Sequence, residues 1–581
     1  LIFGYLILLI NPQKMANLNT KAMSETTYDA IVIGSGASGG WAAKELCENG
    51  LKTLVLERGR MVRHIEDYPT ASKAPWEFEF RGTVPIEKRS GIGAARWGRE
   101  ETMHWALAED EQPIIEEKPF RWFRGYHVGG KSLLWARGTQ RWSDYDLEGP
   151  ARDGYAVDWP IRYKDLEPWY NHVERFVGFC GSKDGLPELP DQIVQPGFEL
   201  SCIEKYYREQ LKSKYGDRHL IQGRCAHLTD PQEIHKQQGR NKCQHQNMCN
   251  RGCIYGGYFS ANASTLPWAE KTGNLTVRPD SVVESIIYDQ EKGRATGVRI
   301  IDRHTKEATE FYAKIIFVNA STINSNAILL NSKSDRFPNG LGNDNGLMGK
   351  FMACHNYRGK GNATFEGFFD QAVEGRHPGH AYVPRFRNVF RQDTDFLRGY
   401  AIGMAGGRRI DADTSAIGHQ LRDNLLNRQY GVWSMAAWMQ GEVIPVESNH
   451  MRLSDAETDK YGIPKIIMSV EWTENDDKMT QDFLEQQSEM YERMGFKNIN
   501  VTDTKAPPGS DIHEMGGVRM GRDPKTSLLN EFNQLHACPN VFVTDGACMT
   551  STSTQNPTLT FMTLTARAAN YAVEELKKQN L

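Results

Sequence analysis

The residues of this chain whose types and spacing could do chemistry fall into three groups. The first is Gly34-Ser35-Gly36-Ala37-Ser38-Gly39, a Gly-x-Gly-x-x-Gly run between the apolar stretch Ala30-Ile31-Val32-Ile33 and the Ala-rich segment Trp41 to Glu48. A strand, that run and a helix in succession bind a dinucleotide. Gly34 permits the tight turn, Gly36 lets backbone approach a pyrophosphate, Gly39 lets helix and strand pack closely, and the helix N-terminus faces the phosphate charge. Glu57 lies 23 residues past Gly34, at the end of the apolar run Thr53-Leu54-Val55-Leu56, where a carboxylate can accept bonds from ribose hydroxyls. The plainer alternative, a structural strand-to-helix turn, does not account for the acid in register. The second group is Cys243, Cys249 and Cys253, spaced C-x5-C-x3-C among ten otherwise scattered cysteines. Thiolates on a loop at such spacings bind iron–sulfur clusters. A zinc site with His245 as fourth ligand, or plain reduced thiols, are the alternatives. The third group is C-terminal: His513-Glu514-Met515-Gly516-Gly517-Val518-Arg519-Met520-Gly521 and Asn556-Pro557-Thr558-Leu559-Thr560. A neutral imidazole can take a proton near pH 7, although a lone His is more often a buried structural one. Asn556 before Pro557 also reads as a helix N-cap with Pro at the first helical position.

These groups need elements to hold them. Residues 30–56 form one strand–helix–strand unit, stopped after the helix by Asn49-Gly50. Residues 60–125 read as irregular and rich in Arg, Gly and Trp, and 165–178 as a helix. Between 275 and 320 the pattern predicts strands at Leu275–Val277, Val282–Tyr288, Gly297–Asp302, Glu310–Tyr312 and Ile315–Asn319, followed by a helix over 321–331. From 355 to 500 strands alternate with polar loops. Val541-Phe542-Val543, the turn Asp545-Gly546 and a helix over 557–578 close the chain. Glu57-Arg58-Gly59, the return at 275–320 and this strand–turn–helix favour FAD over NAD.

The chain has 581 residues, 39% hydrophobic and 24% charged, so it can bury a large core and is no stapled miniature. A net charge of −4 and a pI near 6.5 exclude an electrostatic partner such as nucleic acid or an anionic membrane. No run of 18 apolar residues exists, so no transmembrane helix is expected. The opening LIFGYLILLI is too short to span, lacks basic residues before it and has no small-residue cleavage site after it. It reads as a poor signal peptide; the expectation is that Met15 or Met23 is the start, with a truncated signal as the alternative.

The chain resembles the glucose-methanol-choline (GMC) oxidoreductase family along nearly its whole length from Tyr28. The matching residues are the glycine run, His127-Val128-Gly129-Gly130-Lys131-Ser132-Leu133-Leu134-Trp135, Gly149-Pro150-Ala151-Arg152-Asp153-Gly154 with Trp159-Pro160, and the two C-terminal blocks. The resemblance implies an α/β fold. A Rossmann-like FAD-binding domain (25–155, 245–350 and 500–581) would interleave with a substrate domain on a mostly antiparallel sheet (156–244 and 351–499), after a leader or disordered arm at 1–24. It implies FAD held by Gly34, Ser35, Gly36, Ala37, Ser38, Gly39, Glu57, Arg58, Gly129, Gly130, Ser132, Val283, Asp545, Gly546, Asn556, Pro557 and Thr558. The bond is non-covalent, since Leu134 stands where some members attach FAD to a His. His513 is then the base that takes a hydroxyl proton while hydride leaves for flavin N5. Asn556, 43 residues on, orients that hydroxyl. The N-terminus of the last helix would stabilise reduced flavin.

Within the family the chain is most similar to bacterial FAD-dependent sugar dehydrogenases acting on glucose, fructose, gluconate or carbon 3 of glycosides. That likeness implies a sugar or glycoside substrate, with carbon 3 ranked ahead of carbon 1, and a non-oxygen acceptor. It also implies a 3Fe–4S cluster on Cys243, Cys249 and Cys253, a haem electron partner and a small subunit with a twin-arginine signal. The location is then periplasmic through that subunit, or cytoplasmic. The rivals are a sugar oxidase that makes peroxide and a non-redox lyase on the same scaffold.

Overall fold

The computed structural model describes residues 25–581, apart from 82–83, 90–91, 94–98, 373–378, 412–414 and 427–428. The arm expected at 1–24 lies outside the described residues. The elements that position the site are, in chain order, β1 (Thr27–Ile33), α1 (Ala37–Glu48), β2 (Thr53–Leu56), α2 (Tyr163–Val177), β3 (Leu275–Arg278), β4 (Ser281–Asp289), β5 (Arg294–Asp302), β6 (Ala308–Val318), α3 (Thr322–Asn331), β7 (Gly359–Phe365), β8 (Tyr400–Asp411), β9 (Gln429–Gly441), α4 (Glu474–Arg493), β10 (Lys497–Asp503), β11 (Cys538–Val543) and α5 (Thr558–Lys577).

The first sheet runs β4-β5-β6-β1-β2-β3, with β11 also on β6. The β1, β2 and β3 contacts are parallel, as are β6 with β1 and β6 with β11; β4-β5-β6 is an antiparallel meander. Ile31, Val32 and Ile33 are fully or almost fully buried, as strands covered on both faces must be. β6 is a single strand where two short ones were expected. Its first half alternates exposed and buried residues beside β5, and its last four residues are all buried between β1 and β11. One face of the meander meets solvent, so the pattern changes period mid-strand without a break.

A second sheet is antiparallel throughout, in the order β10-β7-β9-β8, then Ala381–Val383 and Ile221–Gln222. It is backed by α4, a helix in a stretch expected to hold only strands and loops. The sequence of α4 is so polar that its stripe of Met479, Phe483, Gln487, Met490 and Tyr491 is easily missed, yet all five side chains are buried. Asp476 caps α4 by accepting from the Thr473 backbone N–H and hydroxyl, both at 2.8 Å.

A third sheet joins Met515–Gly517, Lys350–Ala353, His450–Thr458, Pro464–Ser469 and Ile114–Glu116. Its antiparallel register pairs Ala353 with Met515. Carried two residues further, that register sets His355 opposite His513.

The glycine run does two different jobs in this frame. A Cβ on Gly39 would lie 2.0 Å from the Gly34 carbonyl oxygen, whereas one on Gly36 would meet no atom within 4 Å. Gly39→Ala is therefore expected to destabilise the ligand-free chain by about 2 kcal/mol or more, and Gly36→Ala to stay within about 0.5 kcal/mol of wild type. Thermal or denaturant unfolding of the two variants checks this contrast.

Candidate active site

A cavity of about 1580 Å³, its open mouth included, lies at the C-terminal ends of β1 and β2. Of the residues expected to hold a cofactor, Gly34 to Ser38, Glu57, Arg58, Gly130, Ser132, Val283, Asp545, Gly546, Asn556, Pro557 and Thr558 all line it. Gly39 does not, because it faces Gly34; Gly129 does not either, because its α-carbon is pressed against Asn262. Gly129 is left-handed (φ 89°), and a Cβ there would fall 1.6 Å from Asn262 Oδ1. Ser132 is occupied structurally: its hydroxyl donates to Gly129 O at 2.6 Å and accepts from Ala261 N at 3.0 Å. The Arg58 guanidinium turns to Glu111 O at 2.9 Å and to Asp459 at 3.6 Å.

The cavity suits FAD on several observations. Gly36 is the N-cap of α1 and offers no side chain, so the first-turn amides of α1 stay available to a phosphate. Glu57 accepts from Ser35 N (3.2 Å), Ser35 Oγ (2.5 Å) and Gly59 N (3.0 Å). Burial pushes its carboxyl above the usual range while these donors pull the other way. Burial likewise lifts Asp545 to about 6, against bonds from Ser325 Oγ and Ala547 N. Asn319 Oδ1, Arg124 Nε and Glu514 Oε1 are buried atoms of cavity-lining residues that lack a hydrogen-bond partner among the described residues. A polar ligand at this place would meet them.

Near the start of α5 the cavity holds the catalytic candidates. Asn556 is not the helix N-cap: Pro557 takes that position, and the Asn556 amide instead lies 3.3 Å from His513 Nε2. Two residues that carry no sequence motif join them. His355 Nδ1 is 2.8 Å from His513 Nδ1, and Asp511 Oδ2 is 3.5 Å from the same atom. Only the strand pairing across Ala353 and Met515 brings His355 there, and no local pattern announces it.

These contacts fix where the protons sit. His355 Nε2 lies 3.0 Å from the carbonyl oxygens of both Thr552 and Ser553. Carbonyls only accept, so Nε2 carries the hydrogen. Burial holds the His355 pKa down to about 4, so the ring is neutral and its Nδ1 is an acceptor. His513 must then donate from Nδ1, which leaves its Nε2 lone pair facing the Asn556 amide. A base needs that tautomer.

The cysteine loop lines a second cavity of about 1950 Å³, together with Arg137, His380, Tyr382, Trp438 and Gln440. Asn556 and the segment from Trp135 to Gly138 line both cavities. Burial pushes the Cys243 thiol up to about 11, with Cys249 and Cys253 adding to the shift. Gly257 N donates to Cys253 Sγ at 3.3 Å, and His227 Nε2 lies 3.8 Å from Cys249 Sγ. Thiolates bound to a cluster take such donors. A single zinc ion bound at about 2.3 Å would draw its thiolates to about 4 Å apart. Among the described residues, only His355, Asp511 and His513 gather three such ligand atoms within 4.8 Å. No helix among the described residues is long and apolar enough to cross a membrane.

Residues 28–355 and 445–565 match the two parts of a family described as GMC oxidoreductase. A 2-methyl-1,2-propanediol dehydrogenase from Mycolicibacterium austroafricanum is 29% identical over 94% of both chains. The fructose dehydrogenase large subunit of Gluconobacter japonicus is 25% identical over 95% of this chain and 98% of its own. Pyridoxine 4-oxidase from Mesorbium loti shares the fold, with a TM-score of 0.58 at 16% identity over 94% of this chain and 98% of that one.

Asp511 gives this cluster a measurable signature. Burial, with the charge of Glu514 beside it, raises its pKa from 3.8 to about 7. A carboxyl whose folded pKa is raised costs stability progressively as pH rises from 3.8 to about 7, and fully above that. Asp511→Asn keeps an acceptor for the His355 amide, now bonded to Oδ2 at 2.8 Å, and cannot ionise. Its Tm relative to wild type is expected to be clearly higher at pH 8 than at pH 4; an equal difference at both would contradict the buried-acid reading.

Proposed function

The chain belongs to the GMC oxidoreductase family and is an FAD-dependent oxidoreductase acting on CH–OH groups; from that premise we propose that it is a dehydrogenase of a sugar or glycoside hydroxyl, with His513 as base. One observation carries the base assignment: His513 Nε2 and the Asn556 amide meet at 3.3 Å beside the wall shared by two cavities. What bound FAD supplies on one side of that wall is an acceptor for the hydride. His513 lines that same cavity, and its Nε2 takes the hydroxyl proton. Asn556 orients that hydroxyl, and His355 holds the His513 ring through its Nδ1–H. The imidazolium so formed lies against Asp511, and the opening amides of α5 face the flavin cavity. Gly138 leaves room at Asn556: a Cβ there would come 3.1 Å from Oδ1.

The substrate class rests on the second cavity. Tyr382 and Trp438 offer flat apolar faces, and Gln440 and Arg137 offer hydrogen-bond partners, a mixture suited to a polyhydroxy ring. Oxidation at carbon 3 of a glycoside is ranked ahead of carbon 1. The relative that is a diol dehydrogenase makes a small branched diol the comparison substrate.

We further propose that Cys243, Cys249 and Cys253 hold a 3Fe–4S cluster; what it supplies is a path for single electrons to a haem acceptor. A small subunit carrying a twin-arginine signal would take the folded protein to the periplasm. The fructose-oxidising relative is itself named a large subunit, which supports a partner.

His513→Ala should lower kcat for dye reduction by ~10²–10⁴-fold; a loss within tenfold would remove His513 as base. His355→Leu should lower kcat with little change in KM, and His355→Asn, whose amide oxygen can replace Nδ1, should recover part of the rate. Iron, acid-labile sulfide and flavin in protein purified without oxygen should give about three irons per flavin. Flavin without iron, with peroxide produced in air, would favour the oxidase.

A further inference from the structure

Outside both cavities lies a pair of cysteines that no step above uses. Cys180 sits in the short strand Phe179–Gly181, and Cys225 faces it across an antiparallel bridge. The two residues exchange both backbone bonds, Cys180 N to Cys225 O at 2.9 Å and Cys225 N to Cys180 O at 3.0 Å. Such a hydrogen-bonded pair holds its α-carbons about 5.5 Å apart, inside the span a disulfide bridges without moving the backbone. Their sulfurs already touch at 3.3 Å, and both side chains are fully buried.

We propose that Cys180 and Cys225 are joined by a disulfide in the mature protein. The oxidant is a protein disulfide of the kind that donates S–S bonds to folding chains. The Cys225 thiolate attacks it, forming a mixed disulfide and expelling one donor thiolate. The Cys180 thiolate then attacks the Cys225 sulfur, and the donor leaves as a dithiol. The donor gains the two electrons and two protons that the cysteine pair loses. The neighbouring Cys180 and burial push the Cys225 thiol well up in the folded chain, so the exchange takes place when this segment opens locally after export, before the bridge closes.

The bond would brace the cysteine loop from behind. Segment 225–228 bonds that loop directly: Cys243 N donates to Leu228 O and Leu228 N to Gly257 O, both at 2.8 Å. His227 in the same segment faces Cys249. Cys243 also packs against the Cys180–Cys225 cluster with Phe198. Pairing Cys180 with Cys225 takes two thiols out of exchange with Cys243 and leaves the three loop cysteines to one another.

The test uses the full chain secreted into an oxidising compartment and purified without reductant. It is denatured in iodoacetamide, digested and mapped by mass spectrometry. A peptide linked through Cys180 and Cys225, with Cys243, Cys249 and Cys253 alkylated, is the expected result. Alkylation of both Cys180 and Cys225, or a link from either to Cys243, overturns the proposal. A second reading comes from heat: wild type should lose several degrees of Tm on adding a phosphine reductant, and the Cys180→Ser/Cys225→Ser double variant should not respond. An equal response in both, or none in wild type, counts against the bond.

Discussion

Glu57 ends β2 as a fully enclosed carboxylate, and three donors converge on it from Ser35 and Gly59. Ser35 passes the constraint on, because its hydroxyl donates to Glu57 and accepts from Gly129 N at 3.0 Å. One carboxyl group thus ties the glycine turn, the end of β2 and the turn at Gly129 into one floor. A carboxyl group buried without those partners would be costly, so the three segments depend on one another. The cavity inherits its shape from that requirement, and the segment from Trp135 to Gly138 follows closely after it.

The support behind His355 is held by a different kind of force. Asp146, Arg385, Glu442 and Arg398 form a chain of buried ion pairs. Asp146 also accepts from Ser553 Oγ at 2.9 Å and Gln555 Nε2 at 3.1 Å. Buried ion pairs are weak contributors to net stability, but they are stringent about geometry. Here they fix the strand of backbone whose carbonyls, Thr552 and Ser553, dictate the protonation of His355. The tautomer of His513 is therefore set three contacts away from the nearest of these charges, Asp146, through Ser553 and His355.

Much of this was legible in the residue order wherever one segment carries a whole physical signature. The glycine run with Glu57 did so, and β1, α1 and β2 fall close to their expected places. The His513 and Asn556 blocks are brought together as the family likeness implied. What stayed hidden is non-local. His355 and Asp511 act only through a strand pairing that spans more than a hundred residues, and α4 conceals a narrow apolar stripe in a charged sequence. The continuity of β6 was lost because its period changes where its neighbours change. Asn556 as a helix cap was a sound local reading, overridden because its amide finds a better partner in the His513 ring.

β11 and α5 carry a consequence for how the molecule comes into being. β11 pairs with the inner end of β6, which pairs with β1, and Ile33 of β1 and the opening of α5 both line the cavity, so segments more than five hundred residues apart belong to one binding site. Synthesis proceeds from the other end, and earlier segments must wait, partly assembled, with an incomplete floor exposed. A complete cofactor site therefore needs both of these distant segments in place. Any chain interrupted before residue 538 lacks a wall of the site, and quality control can distinguish it from the finished protein by whether flavin stays bound.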